Sequence, residues 1–151
     1  MAVKSRSDKA AKSESRLALI SATAQLLSEK SIPDTSLSEI AVRSGLNSAL
    51  IKYYFGSKEG LFMAVLERDA EASMAALSDL VDMPISADQK LKIHIKGIIN
   101  TYYRSPYINR LINYMIVQGQ PDSAQRVAKI FVEPMIDAYR RIVSQGVCLL
   151  Y

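Results

Sequence analysis

Apolar residues recur along most of this chain at spacings of three and four, the period of helices with one buried face. Leu17, Ile20, Ala24 and Leu27 mark a first helix from about Ser15 to Glu29. Leu37, Ile40 and Ala41 mark a short second helix, and Leu50, Ile51, Tyr54 and Phe55 a short third. Phe62, Val65, Leu66, Leu77 and Leu80 stripe a long fourth helix from about Lys58 to Val81, whose Ala-rich middle favours helix strongly. Leu91, Ile95, Ile98 and Tyr102 predict the buried side of a fifth. Ile108, Leu111, Ile112 and Met115 do the same for a sixth, and Val127, Ile130, Phe131 and Ile142 for a seventh. The expected fold is all-α.

The punctuation agrees with the periodicity. Ser36-Leu37-Ser38-Glu39 is a capping box, in which the Ser hydroxyl and the Glu carboxylate each satisfy an orphan N–H at a helix start. Gly45 ends that helix, since glycine tolerates positive φ. Asn47 suits the N-cap of the third helix, and Ser57 that of the fourth. Glu59 in the fourth helix's first turn is explained by the helix dipole alone. Pro84 breaks the fourth helix, and Ser86-x-x-Gln89 caps the fifth. Ser105-Pro106 opens the sixth and Gly119-Gln120-Pro121 closes it. Pro134, inside the seventh, predicts a kink or break.

Two short helices around a glycine turn have the geometry of a helix-turn-helix, in which the start of the second helix enters the major groove of DNA. Leu50, Ile51, Tyr54 and Phe55 dock that helix, which leaves Ser48, Ala49, Lys52 and Tyr53 for the other face. Small residues there permit close approach to DNA. The start of the fourth helix, at Lys58, is a natural phosphate anchor. Arg16, near the start of the first helix, is within the same region and can touch phosphate. Charge supports this only modestly. Of a net +4, residues 1–60 carry nine Lys/Arg against six Asp/Glu and residues 61–151 ten against nine.

The run TSLSEIAVRSGLNSALIKYYFGSKEGLF resembles the DNA-binding domain of TetR/AcrR-type transcriptional regulators, over roughly residues 14–66. Its most specific part is GLNSALIKYYFGSKEGLF. One departure is Ser31, where many relatives have Gly. Residues 1–13, polar, small and basic, are expected to form a flexible basic arm, and the resemblance implies a helix-turn-helix domain over 14–60 and a helical effector-binding and dimerisation domain over 61–151, with the long fourth helix between. It places DNA contacts at Thr35 and Ser36, at Asn47, Ser48, Ala49, Lys52, Tyr53 and Tyr54, and at Lys58. Lys52 suits guanine O6 and N7 or a phosphate, and residue type leaves both open. Tyr53 suits a sugar or a thymine methyl. Tyr54 suits DNA or packing on the first helix equally. In the arm, Lys4, Arg6, Lys9 and Lys12 suit phosphates or the minor groove, or only solvent.

Such regulators are homodimeric, so the implied partner is double-stranded DNA with a palindromic operator, from which a small effector releases a repressor. An effector acts by favouring one spacing of the two readers over another, and only as far as its affinities for the two states differ. Tyr102, Tyr103, Tyr114, Met115 and Gln118 are the expected lining for an apolar or aromatic effector, against the plainer expectation of bundle core. The chain ends at Ser144–Tyr151, short of the further helices that pair protomers in such regulators, so the expected dimerisation domain is incomplete. A helical adaptor that keeps the fold without binding DNA is the alternative.

Enzyme chemistry is not expected. His94 has no partner at helical spacing, and Cys148 has no adjacent base. No cofactor or metal is implied. Apolar stretches are broken before they reach membrane-spanning length, there is no secretory signal pattern, and one cysteine fits a reducing cytoplasm.

Overall fold

A computed structural model describes residues 2–147, with side chains for 10–146. Cys148 and the apolar end 149–151 lie outside the described residues, as do the side chains of Lys4, Arg6 and Lys9. The chain divides into two compact units, Met1–Val65 and Leu66–Tyr151.

The first unit holds α1 (Ala2–Glu29), α2 (Leu37–Ser44), α3 (Ala49–Phe55) and the start of α4 (Lys58–Asp82). Helix α1 begins far earlier than its apolar stripe predicts. No Gly or Pro interrupts Ala2–Glu29, and Ala, Lys and Glu are good helix formers, so the segment expected to be a flexible arm continues the helix. Its buried side is Leu19, Ile20, Ala22, Thr23, Ala24, Leu26 and Leu27. Leu17 is not on it and stands 51% exposed. Thr23 is tolerated in the core because its hydroxyl donates to the Leu19 carbonyl at 2.7 Å.

Helix α2 packs on α1 through Ile40, which is fully buried. Arg43 reaches Glu29 with two parallel bonds of 2.7 and 2.8 Å, and Lys30 pairs with Glu39. The Arg43–Glu29 pair is exposed, and such pairs contribute little to stability. Residues Leu61 to Val65, in the first turns of α4, are all buried, and the first unit extends to Val65.

The second unit takes the rest of α4, then α5 (Ala87–Arg104), α6 (Ile108–Val117), α7 (Ser123–Val127), a π-helical segment (Ala128–Val132) and α8 (Glu133–Val147). Leu77 and Val81 of α4 pack with Ala138 and Ile142 of α8. Tyr107, Ile108, Leu111, Met115 and Val127 are buried as well. Helix α6 starts after a turn closed by Ile108 N–H on the Ser105 carbonyl, so Ser105 ends α5 rather than opening α6. Pro134 has no N–H to give the preceding turn, and the expected break takes the form of the π segment just before it.

Helix α5 departs most from its periodicity. Ile95, expected inside, is 55% exposed, and Tyr102 is also exposed. The buried residue is Lys90. Its Nζ donates to the Val81 carbonyl and to Gln145 Oε1, both at 2.6 Å. It thereby satisfies an orphan carbonyl in the last turn of α4 while its methylene stem packs in the core. His94 is half-buried with its ring edge-on to Tyr139 at 5.2 Å. Burial holds its pKa below the usual histidine range.

Candidate nucleic-acid interface

The reader is built by local hydrogen bonds that the sequence encodes. Glu39 N–H donates to Ser36 Oγ at 3.2 Å, and Ser36 N–H donates to Glu39 Oε2 at 3.1 Å, so the capping box is complete. The Lys30 ammonium beside Glu39, helped by the two Ser36 donors, holds its carboxyl down at about 2. At the other end of α2, Gly45 takes φ 69° and donates to the Ala41 and Val42 carbonyls. Leu46 N–H also reaches Ala41 O at 3.1 Å, which closes the turn. Asn47 Oδ1 accepts from Ala49 N–H at 2.8 Å, so it serves the start of α3 although the helix itself begins at Ala49.

Helix α3 turns Ile51 inward. Leu50, Tyr54 and Phe55 are half-buried, while Ser48, Ala49, Lys52 and Tyr53 face solvent, Tyr53 at 66%. That is the division the apolar spacing predicts. Tyr53 and Tyr54 meet edge-on at 5.0 Å, and Tyr54 and Phe55 at 6.1 Å. The α3–α4 junction is tight. Gly56 takes φ 75°, Ser57 Oγ accepts from Gly60 N–H at 3.0 Å, and Gly60 lies against the Phe55 carbonyl with no room for a side chain. Lys58 opens α4 half-buried, its Nζ over the Phe62 ring at 5.4 Å, and burial lowers its pKa from the ordinary lysine value.

Two expected contacts are already engaged within the fold. Thr35 is fully buried, and its hydroxyl donates to the Ser31 carbonyl at 3.0 Å. Its side chain supports the α1–α2 loop. Ser36 is exposed, but its hydroxyl and its N–H are both engaged by Glu39. Ser31 needs no glycine, because no described residue other than Gly45 and Gly56 has positive φ.

The expected effector lining does not converge. Tyr103 is 86% exposed, Tyr102 and Gln118 are exposed, Tyr114 is half-buried and Met115 lies in the core. A cavity of about 120 Å³ in the second unit lies elsewhere, between α4 and α8, lined by Leu77, Val81, Pro134 and Ala138 among others. That is below the roughly 300 Å³ at which small-molecule pockets begin. Among the described residues no cluster of His, Cys, Asp or Glu is placed to hold a metal, and no helix is long and apolar enough to cross a membrane.

An all-helical chain with a capped helix-turn-helix and a separate helical unit defines a helix-turn-helix regulator. A family model described as bacterial regulatory proteins, tetR family, matches residues 19–65, and one described as tetracyclin repressor-like, C-terminal domain, matches 84–149. The chain belongs to the TetR family. It is 34% identical over 85 residues to the HTH-type transcriptional regulator BetI of Escherichia coli, covering 54% of this chain and 43% of BetI. It therefore aligns with less than half the length of that curated relative. Its fold is similar to that of PfmR, a TetR family transcriptional regulator from Thermus thermophilus, with a TM-score of 0.73 at 19% identity over 85% of this chain and 70% of that one. It is also similar to the TetR family repressor AlkX from Dietzia sp. strain DQ12-45-1b, implicated in biodegradation of n-alkanes, with a TM-score of 0.58 at 18% identity over 88% and 78% of the two chains.

Proposed function

We propose that this chain is a cytoplasmic transcriptional repressor that binds a palindromic operator as a homodimer. The observation that carries the reading is the outward face of α3. Ser48, Ala49, Lys52 and Tyr53 stand exposed on a helix whose opposite side is anchored by Ile51 and whose start is fixed by Asn47. A short helix held so firmly, with small residues at its tip and a cation beside them, suits insertion in the major groove. Asn47 keeps its amide N–H groups for a base or phosphate, Tyr54 borders the face, and Lys58 with the α4 start suits a phosphate. Release by a small effector is taken from the family and is supported by the match over 84–149, and its apolar or aromatic character is read from the Tyr and Met residues of that half. It requires an effector that prefers one arrangement of the readers.

Selection of bound duplexes from a random DNA library, followed by sequencing, tests this. An enriched palindrome with half-sites about one turn apart, ~34–36 Å, is the expected result. A single enriched half-site would refute dimeric binding. The absence of enrichment at low salt would refute DNA binding and favour the adaptor.

A further inference from the structure

Arg16 lies three residues before the segment that matches the reader's family model. Its guanidinium carbon sits over the Phe55 ring, 5.2 Å from the centroid. Phe55 is the last residue of α3. On an α-helix it falls about 20° from the line through Ser48, and about 60° from Lys52. The guanidinium is therefore held at the rim of the exposed α3 face, and its brace Phe55 precedes the Lys58 start of α4 by three residues. Arg16 is exposed and forms no ion pair among the described residues, whereas Arg43, Arg68, Arg126 and Arg141 are each matched to a carboxylate. Glu14, the acidic residue nearest in sequence, is two positions away on α1 and so about 160° around the helix.

We infer that Arg16, braced on Phe55, is a DNA-phosphate clamp at the outer edge of the recognition helix. The inference rests on the DNA-binding reading above. With the guanidinium carbon 5.2 Å from the ring centroid, its N–H donors meet no acceptor among the described residues. Bracing selects a position without neutralising the charge, which is what a phosphate contact requires. Such a contact adds affinity without sequence preference.

The test uses the full chain and a mixed-sequence duplex, with affinity measured by fluorescence anisotropy across a salt series. Each phosphate contact contributes about 0.9 to the slope of log affinity against log salt. Arg16→Ala is expected to reduce the slope by about 0.9, so that its deficit against the wild type narrows about 3.5-fold between 50 and 200 mM salt. Arg16→Lys, which keeps the charge, should keep the slope, and Glu14→Gln should leave it unchanged. An Arg16→Ala slope equal to the wild type, while Lys52→Ala and Lys58→Ala lower it, overturns the clamp and leaves the DNA-binding reading intact. A lowered thermal midpoint with no slope change gives Arg16 a packing role only and also overturns it. If the wild type shows no salt-dependent binding, the DNA-binding reading fails and the clamp with it.

Discussion

Gly60→Ala inverts the usual order of helix propensity, and the inversion can be worked out from the junction it occupies. In an open helix position Ala is better than Gly by about 1 kcal/mol. At Gly60 the added methyl would fall onto the Phe55 carbonyl oxygen, far inside van der Waals contact, and 3.1 Å from the carbonyl carbon. The obstacle is backbone at the end of α3 and cannot rotate away, so α3 and α4 must separate locally. Overpacking of this kind costs about 1–3 kcal/mol, which outweighs the propensity gain. Gly97 supplies the control. It lies on exposed α5 with nothing within 4 Å of a built methyl, so Gly97→Ala should gain up to about 1 kcal/mol. Urea unfolding followed by far-UV circular dichroism reads both, with the slope on denaturant expected to match the wild type. Gly60→Ala should unfold at lower urea and bind its selected duplex more weakly, because the displaced residue carries the recognition helix. A Gly60→Ala protein as stable as Gly97→Ala would refute the steric reasoning.

Tyr107 is buried, and its hydroxyl donates to Asp69 Oδ2 at 2.5 Å while accepting from Arg68 at 3.2 Å. Tyr107→Phe strips a donor from a largely buried carboxylate and should cost about 1–3 kcal/mol in the same urea assay. Burial, and then the Asp69 contact, push the Tyr107 pKa up to about 12. Stability from the neutral phenol is thus complete below about 10, the ordinary tyrosine value, and is lost as pH rises toward 12. Tyr107→Phe should flatten stability against pH in that window. Glu39 titrates in the opposite sense. Its pKa is lowered from 4.5 to about 2, so its contribution is present above 4.5 and lost as pH falls toward 2. Glu39→Gln should make acid unfolding shallower between those values, and an unchanged acid limb would contradict the role assigned to the Lys30 and Ser36 contacts.

The reader was legible because each of its turns needs a particular chemistry. A capping box, a glycine at positive φ and a serine cap are short patterns with one structural meaning, and Ser36–Glu39, Gly45 and Ser57 each took the predicted place. The stripe of α4 is legible for a different reason, since Phe62, Val65, Leu66, Leu77 and Leu80 are apolar and all buried, although Leu61, Met63 and Val81 beside them are buried as well. Helix α5 had a competing face. Of the periodic stripe, Leu91 and Ile98 are half-buried as expected, while Ile95 and Tyr102 are exposed and the fold instead buries Lys90 and half-buries His94. A lysine with a long apolar stem, whose amine finds two acceptors, counts as core in the fold and as surface in a hydropathy pattern. Over residues 1–13 two signals conflict, because low hydrophobicity argues for disorder while freedom from Gly and Pro argues for the helix that α1 forms there.

Among polar residues of the reader, type alone does not decide which are available to DNA, because the fold spends several of them first. Thr35 gives its hydroxyl to Ser31, Ser36 gives hydroxyl and amide to Glu39, and Asn47 gives its carbonyl oxygen to Ala49. A residue already satisfied must break a bond to meet a phosphate, and the net gain shrinks to the difference between two hydrogen bonds. Residues whose donors are unspent keep the whole gain. Among the described residues of this reader those include the Asn47 amide, Ser48, Lys52, Tyr53, Lys58 at the start of α4 and Arg16 on its aromatic brace. Recognition energy should therefore concentrate at the tip and outer rim of α3, while Thr35→Ala and Ser36→Ala should act mainly through the stability of α2 and its loop.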